Sequence, residues 1–205
     1  MNAAMARWSR LHQVTALLGR PLAVLDIEAS TAFGNPGFGL TDWCVVTLAA
    51  DGTYQVIESL VAPGYPIDAD MTALNGLTAE DVATASTWPQ AGADHMFHLS
   101  ESAIVCGYNS SRYDCPAIQA QAKRYRLPVP QFPNQIDVYT LFRRLTGKQM
   151  PLAHAAAEFG LSPEGDLHRA RTDALLCADL LDRLLLWYGL DSVLTAPLAR
   201  KIRKD

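Results

Sequence analysis

Three strand-like segments follow one another within residues 22–62, and beyond them strands alternate with helices. The first covers 22–28; "DWCVVTLA" and "YQVIESLVA" follow, joined by the turn pair Asp51-Gly52, and together read as a hairpin. Parallel neighbours need a long crossover, so strands this close in sequence are not all parallel. "SAIVCGYN" is a fourth, compact apolar strand and "QID" (135–137) a brief fifth. Helices are expected over 76–85, where Thr78 and Asp81 have capping spacing, over 89–99, and over 112–126, ended by Pro128 and Pro130. Further helices are expected over 138–146, over 151–159, stopped by Gly160, and over 168–188. The pattern predicts an α/β fold with a mixed five-stranded sheet flanked by helices. It is expected to be one domain over 1–205, with a leading helix within 1–20 and a tail over 189–205.

Composition narrows the class. With 49% hydrophobic and 19% charged residues the chain is of ordinary globular type. A net charge of −4 excludes a basic nucleic-acid wrapper but not a nuclease, because carboxylates gathered for metal ions lower the charge themselves. Cys44, Cys106, Cys115 and Cys177 are scattered without C-x-x-C spacing, which predicts reduced buried thiols and a cytoplasmic location. The longest apolar runs fall far short of the ~20 residues of a membrane span. The first 25 residues hold three arginines and no acid; Met5, Trp8, Leu11, Val14, Leu17 and Leu18 fit an amphipathic helix rather than a targeting peptide.

Within the first strand, "AVLDIEAS" places Asp26 and Glu28 two positions apart, hence on one face. Like charges about 4 Å apart repel by about 4 kcal/mol at an effective dielectric near 20. No flanking residue offers a cation. Asp114 follows the fourth strand at a helix start, where a negative charge is favoured. Asp173 heads the stripe Leu176, Cys177, Leu180, Leu184 and Trp187, expected to face the sheet, while Thr172, Asp179, Asp182 and Arg183 are expected to be wet. A carboxylate there needs a partner; Arg169 and Arg171 are near in sequence, and His168 stands five residues before it. Asp114 alone reads as well as a helix-start acid, and His168 alone as a surface or capping histidine. Four acids from three elements converging at one sheet edge would instead suit Mg²⁺ or Mn²⁺, two ions acting on a phosphoryl displacement.

These residues resemble the DnaQ-like, DEDDh-type 3′–5′ exonuclease family. "LDIEAS" is similar to its first motif, D-x-E. "GYNSSRYDCPAI" is similar to the second, N-x-x-x-[F/Y]-D, met by Asn109, Tyr113 and Asp114; "HRARTDA" matches the third, H-x-A-x-x-D-A. Weaker likenesses lie in "ALNGLTAEDV", "IDVYTLFRRL" and "LAHAAAEFGL", so the resemblance spans about 22–185 in the family's order. It implies a ribonuclease H-like fold in which Asp26, Glu28, Asp114 and Asp173 ligate two divalent ions, Mg²⁺ or Mn²⁺. His168 would be the general base, as a group with an unperturbed pKa of about 6.5 suits. The implied substrate is a single-stranded DNA or RNA 3′ end, shortened to nucleoside 5′-monophosphates. A homodimer, a proofreading subunit associated with a polymerase, and a catalytically silent nucleic-acid or protein-binding module on the same fold stay open.

The chain departs from the family pattern in two places. D-x-E-T-T-G becomes Asp26-Ile27-Glu28-Ala29-Ser30-Thr31, leaving Ser30 or Thr31 to replace the hydroxyl lost at Ala29. The histidine of H-G-I-T is Asn75, which with Gly76 also reads as a simple turn. Both changes bear on substrate grip rather than on the metal site. Of the remaining candidates, His95 and His98 are expected on a solvated helix face, His154 in solvent, and the basic tail "LARKIRKD" as a frayed end. Arg112, Lys123, Arg124, Arg143 and Arg144 are candidates for the border of a strand-binding groove.

Overall fold

The computed structural model describes residues 7–194, so Met5 and the basic tail lie outside the described residues. Five strands form one sheet: β1 (Leu22–Ala29), β2 (Leu40–Leu48), β3 (Tyr54–Leu60), β4 (Ile104–Gly107) and β5 (Gln135–Asp137). Their order is β3-β2-β1-β4-β5. β1 pairs antiparallel with β2 and β2 with β3, whereas β4 runs parallel to both β1 and β5. This is the mixed sheet that the spacing of the strand signals demands.

Among the described residues eight helices surround it: α1 (Ser9–Leu18), α2 (Ala69–Asn75), α3 (Trp88–Ala91), α4 (Ala93–Ser102), α5 (Asp114–Arg124), α6 (Val138–Thr146), α7 (Leu152–Ala157) and α8 (Ala170–Leu194). Alternation along the strands sorts the core into two layers. Leu22 and Val24 join Cys44, Val46 and Cys106 beneath α1, α6, α7 and α8, where Leu11, Phe142, Cys177, Leu180 and Leu184 are buried. Ala23 and Leu25 face the other way, toward Trp43, Trp88, Met96 and Ile118. Asp26 and Glu28 continue the parity of Leu22 and Val24, so β1 aims both acids at the α8 side.

Several expectations are corrected. Residues 76–85 form turns, not a helix, although Thr78 and Asp81 do bond each other's backbone and side chain. The helix lies just upstream, as α2, bounded by Asp68 and by Gly76 at φ 73°. The last long helix starts at Ala170 rather than 168, and Gly189 (φ 78°, ψ 156°) breaks it where the tail was expected, with one further helical stretch following.

The face of α8 expected to be wet is a docking surface for α1. Thr172 is buried. Asp179 accepts the Trp8 indole N–H at 2.6 Å, and Asp182 accepts the backbone amides of Arg10 and Leu11 at 2.9 and 3.0 Å. Those amides are orphan donors at the start of α1, which has no side-chain cap of its own. Arg183 donates to the Phe159 carbonyl. His95 also departs from expectation, stacking on Trp43 with ring centroids 5.5 Å apart, while His98 stays exposed beside Asp94. No helix among the described residues is long and apolar enough to cross a membrane.

Candidate active site

The site forms where β1, α5 and α8 meet. α8 packs across β1 and β2, which brings Asp173 in its first turn over the two acids of β1. One carboxylate oxygen from each of Asp26, Glu28 and Asp173 lies within 4.8 Å of the others. Asp114, the first residue of α5 and 5% exposed, lines the same cleft from the end of β4. The sheet register shifts directly after Glu28, between Glu28 and Ala29. The residue left over is Thr41, between Leu40 and Asp42, so the strand that this bulge bends is β2.

Burial dominates the electrostatics. It pushes Asp26 well above the usual carboxylate range, with the charge of Asp114 adding to it. Burial likewise raises Glu28 to about 8 and Asp114 to about 7, and it raises Asp173 as well. Neighbouring donors act against this: the Asn75 amide on Glu28, the amides of Asp114 and Ile27 on Asp114, and His168 on Asp173. Among the described residues no Lys or Arg forms an ion pair with any of the four acids. The two arginines near Asp173 in sequence go elsewhere, Arg169 to Asp42 and Arg171 to Glu58.

The Oδ1 atom of Asp173 is buried with no hydrogen-bond partner. An unpaired buried carboxylate oxygen, beside two further carboxylates and a fourth at the same cleft, is the donor set of a hard divalent cation. The residues fit Mg²⁺ or Mn²⁺. They do not fit a softer metal, since the four buried cysteines play no part in the cluster.

His168 lies in the bend before α8, not within the helix. It is exposed, adopts φ 58°, and donates its backbone amide to Asp173 Oδ2 at 3.1 Å. That left-handed backbone is the reason the helix begins two residues later. The side chain lines the cleft with the acids.

Of the expected substrate contacts, Ala29, Thr31, Asn109 and Tyr113 line the cleft. Ser30 does not. Its hydroxyl is fully buried, donating to the Gly37 carbonyl and accepting from the Gly39 amide, so it ties the 30–39 loop together. Asn75 does not line the cleft; it ends α2 and its side chain reaches Glu28. Leu77 N–H fixes its Oδ1 at 2.9 Å, and its amide donates to Glu28 Oε2 at 3.3 Å. Asn109 sits at φ 64° and receives the amides of Arg112 and Tyr113 on its carbonyl. Asp137 braces that loop, accepting from Ser111 while capping α6 through Thr140 N–H.

Sequence reasoning missed the apolar wall. Phe33, Phe38, Met71 and Leu74 line the cleft opposite the acids, with Phe33 edge-on to Phe38 at 5.2 Å and tilted toward Tyr113 at 6.5 Å. Two aromatics inside the glycine-rich "FGNPGFG" were the available signal. Of the basic candidates, Arg124 is committed to structure: it stacks on Tyr65 at 4.1 Å and donates to the Pro63 carbonyl. Arg112, Lys123, Arg143 and Arg144 are exposed, and His154 is too.

Comparison with known proteins places this geometry. The family described as Exonuclease (RNase_T) matches residues 24–181. An uncharacterized exonuclease, CP81, of Escherichia phage 186 is 30% identical over 174 residues, covering 78% of this chain and 86% of that protein. Exonuclease X, solved in complex with 5′-overhanging duplex DNA, superposes with a TM-score of 0.64 at 23% identity, over 88% of this chain and 99% of that one. A 3′-exonuclease solved for 3′-end-specific recognition of a histone mRNA stem-loop gives 0.66 at 20% identity, over 81% of this chain. This chain spans 63% of the length of that last protein.

Proposed function

The chain belongs to the Exonuclease (RNase_T) family, of the DnaQ-like, DEDDh type, and from that premise we propose that it is a metal-dependent 3′–5′ exonuclease. It releases nucleoside 5′-monophosphates from single-stranded ends, DNA ahead of RNA. The observation that carries this reading is the convergence of Asp26, Glu28 and Asp173 oxygens within 4.8 Å, with Asp114 in the same cleft and, among the described residues, no Lys or Arg ion-paired with them. Asp26, Glu28, Asp114 and Asp173 would hold two divalent cations. When bound, such ions offset the charge of a phosphodiester undergoing in-line displacement.

The chain's own residues do the rest. A ring nitrogen of His168 takes a proton from the attacking water; its exposure and its place in the cleft suit a base that must return that proton to solvent. Asn75 holds Glu28 by its Oε2 and so keeps one acid of the set in place. Phe33, Phe38, Leu74 and Tyr113 offer apolar surface to the terminal base. The cleft, about 280 Å³, has room for a terminal nucleotide.

Exonuclease X and the histone-mRNA nuclease are described with DNA and RNA respectively, so both sugars belong in the test. The four free, buried cysteines support a reducing compartment such as the cytoplasm. Polarity is tested with oligonucleotides carrying a label at one end or the other. A 5′ label should give a ladder of shortening products, and a 3′ label a mononucleotide from the first turnover; the opposite pattern would refute the polarity.

A further inference from the structure

Asp42 is a buried acid that the chemistry above does not use. It stands on β2 directly opposite Glu28 in the antiparallel ladder and is 6% exposed. It does not line the catalytic cleft. Instead its Oδ2 takes Arg169 Nε at 3.3 Å, and the backbone amides of Ala170 and Trp43 donate to the same carboxylate. Arg169 and Ala170 are the two residues that follow His168. One carboxylate on the neighbouring strand therefore grips both.

On its other side the bend is held by the His168 amide, which donates to Asp173 Oδ2. Between these two anchors His168 adopts φ 58°. A residue with a side chain stays in that region only where its surroundings hold it there. A second ion pair, Arg171 with Glu58 at 2.9 Å, lies two residues further on, but both its partners are exposed, so it is weak. Only the Asp42 pair combines burial, a helix start and adjacency to the histidine.

We propose that Asp42 is a positioning residue for His168: through Arg169 and the first residue of α8 it fixes the left-handed bend that presents the imidazole to the cleft. The inference rests on the role given to His168 above. A merely structural pair would cost stability or rate whether or not the histidine were present, and this difference is measurable.

The test compares wild type, Arg169→Ala, His168→Ala and the double variant on a 5′-labelled single strand with Mn²⁺, with Arg171→Ala as control. Arg169→Ala should lower kcat by roughly 10- to 100-fold with KM held within about twofold, the scale expected when a catalytic group is displaced by about 1 Å. In the His168→Ala background the same change should have no further effect, because both act through one group. Asp42→Asn should repeat the pattern if it folds, and thermal stabilisation by Mn²⁺ should survive in Arg169→Ala. Full activity in Arg169→Ala, or an equal loss with and without His168, would overturn the proposal. Wild-type cleavage by His168→Ala would instead refute the base assignment, and this inference with it.

Discussion

Asn75 donates its side-chain amide to Glu28 Oε2 at 3.3 Å while its own Oδ1 is fixed by the Leu77 N–H at 2.9 Å. The amide cannot flip without losing both bonds, so the last residue of α2 orients one acid of the cluster. A hydrogen bond to a charged group is worth about 1.5–3 kcal/mol. Asn75→Ala is therefore expected to reduce kcat/KM by about 10- to 100-fold while the chain stays folded, and steady-state kinetics with Mn²⁺ would check it. Unchanged kinetics would show that Glu28 is held without Asn75.

The raised carboxyls make stability depend on pH in a definite direction. Glu28 rises from an ordinary 4.5 to about 8 and Asp114 from 3.8 to about 7, both through burial. Each keeps its proton in the folded chain where the unfolded chain has lost it. Stability of the metal-free protein should thus fall as pH rises from about 4 to about 8. Divalent cation needs the ionised carboxylates, so the rise in Tm on adding Mn²⁺ should grow over the same range. Calorimetry with EDTA or Mn²⁺ at pH 5.5, 7 and 8.5 measures both trends; a metal-free Tm that climbs toward pH 8.5 would contradict them.

Asp182 caps α1 from a distance, accepting the Arg10 and Leu11 amides. Its loss leaves two orphan donors at the start of that helix. Asp182→Ala should destabilise the fold by about 1–2 kcal/mol, read from urea denaturation, with exonuclease activity per folded molecule unchanged.

The apolar wall should act on binding more than on chemistry. Stacking a base on an aromatic side chain is worth about 1–3 kcal/mol. Phe33→Ala is expected to raise KM by about tenfold or more and to leave kcat within about threefold. A fall in kcat alone would place Phe33 nearer the reacting phosphate than the wall suggests.

How much of this was legible beforehand depends on the kind of signal. Strand parity, the tight turn at Asp51-Gly52 and the motif acids gave the sheet and the four carboxylates, because period-two alternation and a D-x-E pair are local properties. The α1–α8 contact was not legible. Asp179 and Asp182 look like solvated residues on a helical wheel, and only tertiary packing brings Trp8 and the orphan amides of α1 onto them. Of the pair Ser30 and Thr31, the sequence does not say which faces the cleft: a loop closing through Gly37 and Gly39 claims the Ser30 hydroxyl, and Thr31 lines the cleft. Asp42 was invisible because its partner, Arg169, lies 127 residues away in the chain.

The most direct test of the central claim follows a 5′-labelled single-stranded DNA and its RNA counterpart with Mn²⁺, with EDTA, and with Asp114→Asn in place of the native chain. The account predicts a ladder shortening from the 3′ end, faster on DNA, that vanishes with EDTA and falls by at least about 10²-fold in the variant, the scale of losing a group that stabilises transition-state charge. Cleavage that persists in EDTA, or that survives Asp114→Asn at the native rate, would contradict it.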